Sequence, residues 1–175
     1  MMHIEQDLLE DEFTKIIPAI YRSFQNDWII WDRKSNVSNR LLSETDIEPL
    51  SDFQNSNETT HSATEICVCT DGSMGLRLNS DTIRLNRGEM AFIFSGTSHE
   101  EVGLCRHVYR SIWLTADPYM LYMHLSGKDG KTGFYTREAV LLGPDTDYQI
   151  LLLSAEQCIR NQDLYYIESL KSYML

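Results

Sequence analysis

Between residues 64 and 98 the sequence alternates short apolar runs with tight polar turns, and this pattern most limits what the chain can fold into. The apolar runs are TEICVCT, SMGLRL, TIRL and MAFIF, and the turns are Asp71-Gly72, Asn79-Ser80-Asp81, Asn86-Arg87-Gly88 and Ser95-Gly96-Thr97-Ser98. Two later runs, HVYRSIWL and the EAVLLG of residues 138–143, add further strands. Regularly spaced strands with tight polar turns are typical of a β-sandwich or a small barrel.

Helical and loop patterns precede this β region. Apolar residues recur at helical spacing between Asp7 and Phe24, and Pro18 is expected to end or bend that helix. The apolar run around Trp28–Trp31 predicts a strand. Residues 34–62 are rich in Ser, Asn, Thr and Asp, which predicts a long polar loop. We therefore expect residues 1–26 to form an N-terminal helical extension.

Helical patterns also follow the β region, which we bound at residues 27–143. The segment DPYMLYMHL predicts a short helix that Asp117 caps, with Pro118 at its first position. Residues 144–175 predict two helices, and the second carries an apolar stripe spaced at three and four: Leu164, Ile167, Leu170 and Met174. Such a stripe suits a helix–helix contact between two copies of the chain, or packing against the chain's own β region.

Charge and composition exclude several classes of partner. The 175 residues carry a formal net charge of -11, so this chain is not expected to bind nucleic acid by itself or to approach an anionic membrane. The N-terminus is acidic without an apolar signal segment, and no window holds about 18 apolar residues. The four cysteines form no zinc-ligand set. The expected location is therefore the cytoplasm.

Two spaced motifs lie within the β region. They are His61-x3-Glu65-x6-Gly72 and Gly88-x5-Phe94-x-Gly96-x2-His99. Together they resemble the two sequence motifs of the cupin superfamily. The resemblance implies a mainly β fold, a cupin-type double-stranded β-helix forming a small barrel, with the N-terminal helix and two C-terminal helices added. Two positions depart from the pattern: Thr59 stands where the first histidine is expected, and Phe94 or Ser95 stands in place of a proline.

The residues His61, Glu65 and His99 would remain as ligands in a metal-binding cupin. Two histidines and one carboxylate can form a facial triad for iron, which would make the protein a metal-dependent isomerase or dioxygenase. The structural interpretation is that these side chains hydrogen-bond one another in the barrel wall. The missing histidine and the absence of a second carboxylate nearby in the sequence favour that interpretation. A closed barrel that binds no ligand is a third alternative.

A narrower resemblance concerns the order of the segments. Three segments resemble parts of the N-terminal sensor domain of AraC-type transcription regulators. Residues 65–72 resemble its E-(aliphatic)-x-(aliphatic)-x-x-x-G strand. The segment LNRGEMAFIFSGTSH resembles its second motif, and YRSIWLTADP resembles its aromatic strand. The likeness runs from about Asp27 to the last residue. In that family a basic pair of helix-turn-helix units follows the sensor. The end LKSYML has no helix C-cap, and we expect the chain to be part of a longer protein.

The regulator resemblance implies an effector-binding and dimerisation domain that is not an enzyme and needs no cofactor. Its partners would be a small molecule such as a sugar or a similar metabolite, a second copy through the C-terminal helices, and DNA only through the missing helix-turn-helix part. The aromatic strand and the residues after the second motif would supply ligand-binding residues Trp113, Ser111, His99 and Glu101. The same strand parity adds His61, Glu65, Cys67 and Cys69.

Each of these side chains also has a structural interpretation. Trp113 offers a flat face for a ring-shaped ligand, but it also suits core filling. Glu101 offers a hydrogen-bond acceptor, but it also suits a solvated turn. Cys67 and Cys69 lie two residues apart on one face of a strand, where small buried apolar residues are common.

Overall fold

The structure, a computed structural model, describes residues 29–30, 41–47, 62–116, 121–130 and 133–141, together with the four positions 150, 154, 157 and 161. Strands dominate this part of the chain, and the prediction of a mainly β fold is confirmed. The strands are β1 Ile29–Ile30, β2 Thr64–Leu78, β3 Asp81–Asn86, β4 Met90–Ile93, β5 His99–Val102, β6 Tyr109–Ala116, β7 Leu121–Asp129 and β8 Gly133–Leu141. A short 3-10 helix spans Glu44–Asp46.

Strand β2 belongs to two sheets. Its first part pairs antiparallel with β4 and with β6, and β7 and β8 continue the sheet beyond β6, while β1 joins β4 in parallel. Its second part, from Ser73 to Leu78, pairs with β3 on one side and β5 on the other. Buried side chains from both sheets form one hydrophobic cluster, so the core lies between them.

The turn predicted at Asp71-Gly72 is wrong, because the chain does not reverse direction there. One residue is added to β2 opposite β6 between Cys69 and Asp71, which makes a β-bulge within a continuous strand. Gly72 has φ +67°, and a Cβ atom there would lie 1.9 Å from the carbonyl oxygen of Val108. Glycine is therefore required where β2 bends from one sheet into the other. The other predicted turns do separate consecutive strands.

The predicted helix after Asp117 is wrong, because Leu121–Asp129 is strand β7. It pairs with β6 from Leu121 to Lys128, and Met123 and Leu125 are buried on one face. The cap signal of Asp117 and Pro118 is local, and pairing with a neighbouring strand overrides it. The polar strand β5 was not predicted, and β8 begins at Gly133 rather than at residue 138.

Part of the predicted polar loop is held against the strands. Leu41 forms a bridge with Ile83, and Ile47 forms one with Leu104. The 3-10 helix between these bridges begins after Ser43, whose hydroxyl donates to the Asp46 carboxylate at 2.7 Å. This stretch of the loop is therefore attached at both ends.

The helical extras of the prediction fall largely outside the described residues. The N-terminal helix and the apolar stripe of the last helix lie entirely outside them. In residues 142–175 the structure describes four positions, 150, 154, 157 and 161, and all four have helical backbone. Because the residues between them are not described, the two C-terminal helices stay a prediction. Within the described part of the chain, no helix combines the length and apolarity needed to span a lipid bilayer.

Candidate functional site

The register of three strands brings a set of polar side chains to the inner face of the larger sheet. Residues directly opposite each other in an antiparallel pair share a face. The pairs across β2, β6 and β7 are Glu65 with Thr115, Cys67 with Trp113, Cys69 with Ser111, Trp113 with His124, and Ser111 with Ser126. The other sheet contributes His99 and Glu101 from β5.

The first polar cluster is formed by Glu65, His99 and Thr115, and its acid and imidazole are almost fully buried. The Nε2 atom of His99 lies 2.9 Å from Oε2 of Glu65, and the hydroxyl of Thr115 donates to Oε1 of Glu65 at 2.5 Å. The Nδ1 atom of His99 lies 2.9 Å from the carbonyl oxygen of Thr97. Because a carbonyl only accepts, Nδ1 carries a hydrogen, and a second proton lies between Nε2 and the carboxyl group.

The surroundings of His99 favour its protonated form. Burial lowers the pKa of His99, but the hydrogen bonds to Glu65 and to the carbonyl of Thr97 outweigh burial and raise the pKa above its ordinary value. The positive imidazolium and the negative carboxylate then compensate each other. This cluster is electrically balanced inside the core.

Trp113 connects the first cluster to the second. Its indole packs against the imidazole of His124, with centroids 5.6 Å apart and planes 6° apart, and against His99, with centroids 6.0 Å apart. The indole N–H donates to the hydroxyls of Ser126 at 3.0 Å and Ser111 at 3.2 Å. Only 3% of Trp113 is exposed, so a ring-shaped ligand would have to displace one of the imidazoles to stack on it.

The second polar cluster surrounds the carboxyl group of Glu101. The hydroxyl of Ser126 donates to Oε2 at 2.5 Å, and that of Ser111 lies 3.3 Å from Oε1. The two serine hydroxyls are 2.8 Å apart, and the Tyr109 hydroxyl and the Trp113 indole also hydrogen-bond to the carboxyl group. All of these partners are neutral donors.

Burial perturbs the titration of both acidic groups in this second cluster. It raises the pKa of Glu101, and the hydrogen bonds from Ser126, Tyr109, Ser111 and Trp113 oppose that rise only in part. Burial and the nearby Glu101 carboxyl also raise the pKa of the Tyr109 hydroxyl, which therefore stays protonated and remains a donor.

The two predicted cysteine sites belong to the hydrophobic cluster. Cys67 is fully buried with its Sγ 4.0 Å from the Sδ of Met74, and Cys69 is fully buried with its Sγ 3.3 Å from the carbonyl oxygen of Asp71. Both thiols are free. Burial raises the pKa of Cys67 well above its usual range and that of Cys69 to about 12. Neither thiol is therefore a nucleophile at neutral pH.

The structure brings most of the predicted site residues together. Trp113, Ser111, His99, Glu101 and Glu65 meet in the two clusters, whereas His61 lies outside the described residues. Glu101 is not a solvated turn residue.

Three further members were missed by sequence reasoning, namely Thr115, His124 and Ser126, while Tyr109 shares the strand parity of Ser111 and Trp113. The same alternation, continued along β6, would have found Thr115. The other two lie on β7, where the predicted helix concealed the alternation.

Metal ligation was the alternative for Glu65 and His99. As placed, these two side chains hydrogen-bond each other. Among the residues that the structure describes, no group of three or more His, Cys, Asp or Glu side chains is arranged to hold a metal ion. The third residue of the predicted ligand set, His61, is not among them.

Comparisons with known proteins gave one likeness to report. No protein-family model matches the chain, and no curated protein matches it. Among solved structures, the chain is similar to a sugar phosphate isomerase from a cupin superfamily of Silicibacter pomeroyi DSS-3, with 15% sequence identity and a TM-score of 0.34. The likeness covers 48% of this chain and 59% of the isomerase, so the chain spans less than two thirds of that protein.

Proposed function

We propose that this chain is the effector-sensing and dimerisation domain of an AraC-type bacterial transcription regulator, and that its cupin barrel binds a small polar molecule. The observation that carries the proposal is the buried polar network of Glu101, Ser111, Ser126 and Trp113. Buried polar groups cost free energy unless they are bonded, and convergent polar groups beside an aromatic ring are typical of ligand sites. The motif resemblance supplies the family.

Signal transmission would follow from the strands that hold the network. Glu101 lies on β5, in one sheet, and its serine partners lie on β6 and β7, in the other. A ligand that binds one arrangement of these strands more tightly raises the population of that arrangement. In this proposal the C-terminal helices carry the change to a second copy and to a basic helix-turn-helix part outside these 175 residues.

The direct test is a thermal-shift screen of sugars and other small metabolites. We expect at least one compound to raise the melting temperature of the wild-type protein, since a ligand of the folded state stabilises it. Trp113→Ala, or the milder Ser126→Ala, should abolish the shift. Val108→Ala is the matched control, because Val108 precedes the same strand and is 53% exposed. A screen without any stabilising compound would contradict the proposal.

The metal-dependent enzyme is tested by metal analysis of the purified protein. The sensor proposal expects no stoichiometric iron, manganese or zinc. A metal present at one equivalent and lost in His99→Ala, but retained in Glu100→Gln, would support an isomerase or dioxygenase that uses His61, Glu65 and His99. Glu100 serves as the control because it pairs with Arg77 rather than with the two clusters.

A binding measurement with duplex DNA tests the assignment of roles within the regulator. At moderate salt this chain should show no measurable affinity, because a net charge of -11 opposes the approach of phosphates. Tight binding would mean that DNA recognition lies within these residues. A gene that continues with a basic helical block of roughly 100 residues would support the proposed family.

A further inference from the structure

We infer that the ligand of this site presents a cationic nitrogen, as an amine or amino sugar does, and that Glu101 is the residue that selects it. This inference rests on the proposed function, because it names the class of ligand for the same site. It starts from the partners of Glu101, which are hydroxyl and indole donors without a positive charge.

The direction of the hydrogen bonds makes the Glu101 carboxyl group the end point of the network. The indole N–H of Trp113 donates to Ser126, and the hydroxyl of Ser126 in turn donates to Glu101. Tyr109 and Ser111 add further donors. These donors offset only part of the burial that raises the pKa of Glu101, and a ligand ammonium would add a positive charge that favours the carboxylate form.

The two carboxyl groups of the core differ in this respect. Glu65 is compensated by the imidazole of His99, at 2.9 Å. Among the described residues, the partners of Glu101 supply hydroxyl and indole donors but no such counter-charge.

Two described arginines near these strands are directed away from the core. Arg77 pairs with Glu100, whose position next to Glu101 on β5 directs it to the opposite face of the strand. Arg84 lies between the buried Ile83 and Leu85 on β3, so it too points away from the core. Lys128 lies opposite Tyr109 in the register of β6 and β7, with its ammonium over the ring of Phe134. A ligand phosphate or carboxylate at Glu101 would meet an acid rather than either arginine.

Glu101 is the one member of this network that is partly exposed. Tyr109, Ser111, Trp113 and Ser126 are all buried. Neighbouring atoms surround the Glu101 carboxyl group, so a ligand that contacts it has to displace some of them.

The test uses matched trios of compounds and the wild-type protein, so that it does not depend on whether a variant folds. One trio is glucosamine, glucose and glucose 6-phosphate, and another is ethanolamine, ethylene glycol and glycolate. Melting temperatures and titration calorimetry give the affinity of each member. We expect the amine of a trio to bind at least tenfold more tightly than its neutral member, and the anion to bind most weakly.

A pair of variants assigns the preference to one carboxyl group. Glu101→Gln keeps the size of the side chain and should reduce the advantage of the amine by tenfold or more. Glu100→Gln is the matched control one residue earlier, and it should leave that advantage unchanged. An equal loss in both variants would overturn the assignment to Glu101.

The outcomes separate this inference from the proposed function. Sugars or anions that bind while amines do not would overturn the inference and leave a small-molecule sensor in place. An amine preference that survives Glu101→Gln would overturn the role of Glu101. No binding by any compound of the trios or of the wider screen would overturn both the inference and the proposed function.

Discussion

Two buried carboxyl groups share the core of this protein and are compensated by different means. Glu65 lies against the imidazole of His99, whose pKa is raised, and it also accepts a hydrogen bond from Thr115. Among the described residues, Glu101 accepts from hydroxyl and indole donors without a positive charge, and burial raises its pKa. The first arrangement is balanced in charge and the second is not.

Under the proposed function, this difference would separate a structural role from a binding role. A balanced ion pair has little to gain from an added ligand, whereas removal of one partner leaves an uncompensated charge. A carboxyl group held by neutral donors gains from any cation that reaches it. In that proposal the Glu65–His99 pair stabilises the core and Glu101 takes part in recognition.

The substitution with the largest expected effect would disturb the surroundings of both carboxyl groups, Glu65 and Glu101, at once. Gly72→Ala places a Cβ atom 1.9 Å from the carbonyl oxygen of Val108, at a backbone φ of +67°. The bulge that sets the register of β2 against β6 would have to move. We expect the free energy of unfolding to fall by about 4 kcal/mol, measured by chemical denaturation.

Gly96→Ala is the matched control for that change. Gly96 has φ +81°, but an added Cβ atom would meet nothing within 4 Å. The strain of the left-handed backbone alone should cost about 1 kcal/mol. Equal losses in the two variants would show that the close approach to Val108 is unimportant.

Neutralising each carboxyl group in turn tests the comparison directly. Glu65→Gln leaves the imidazole of His99 without its counter-charge, and we expect a loss of about 2–3 kcal/mol at neutral pH. Glu101→Gln removes a charge that lacks a cationic partner, so stability should change by less than about 1 kcal/mol, in either direction. Denaturation curves of the two variants at one pH measure both values. A larger loss for Glu101→Gln would reverse the assigned roles.

The dependence of stability on pH should sharpen the same contrast. The folded-state pKa of His99 is raised, so its stabilisation is complete below the unfolded value of about 6.5 and is lost as pH rises through the folded value. Glu101 also has a raised pKa, so folding loses stability as pH rises from about 4.3 through its folded value. Melting temperatures of each variant, measured against pH, test both shifts. His99→Gln should reduce the loss of stability near neutral pH, and Glu101→Gln should reduce the loss of stability at lower pH. Profiles parallel to that of the wild type would contradict both shifts.

The smallest expected effect concerns the two buried thiols of β2, Cys67 and Cys69. Cys67 and Cys69 are fully buried with raised pKa values, whereas Cys105 is partly exposed. Iodoacetamide applied to the native protein should label Cys105 and leave Cys67 and Cys69 unmodified, as read by peptide mass spectrometry. All three should react after unfolding in denaturant. Labelling of Cys67 in the native state would mean that the interior opens more readily than the balanced wall implies.

The alternating pattern of the sequence was sufficient for three of the four predicted turns and for the inner face of β2 and β6. Strand parity places Ser111, Trp113 and Glu65 on one face, and the structure joins Glu65 to His99 as the structural interpretation expected. These features follow from local alternation and from glycine or asparagine at tight turns, so a single sequence carries them.

The features that escaped prediction depend on pairing between distant segments. The Asp71-Gly72 pair has the composition of a hairpin turn, but here the positive φ of glycine serves a bulge. Strand β7 begins after a helix-cap signal, and only its pairing with β6 makes it a strand. Ser126 and His124 were missed with it. The partners of Glu101 could not be identified without knowing that β5 and β7 face the same core.

The bend at Gly72 also has a mechanical consequence. A single uninterrupted backbone passes from the sheet that holds Ser111 and Trp113 to the sheet that holds Glu101, so the two sheets are joined through one strand. If the proposed ligand enters between the sheets, this shared strand has to flex, and the same flexure alters the spacing of its neighbours on both sides. In the proposed function, ligand entry and the relative movement of the two sheets would therefore be coupled.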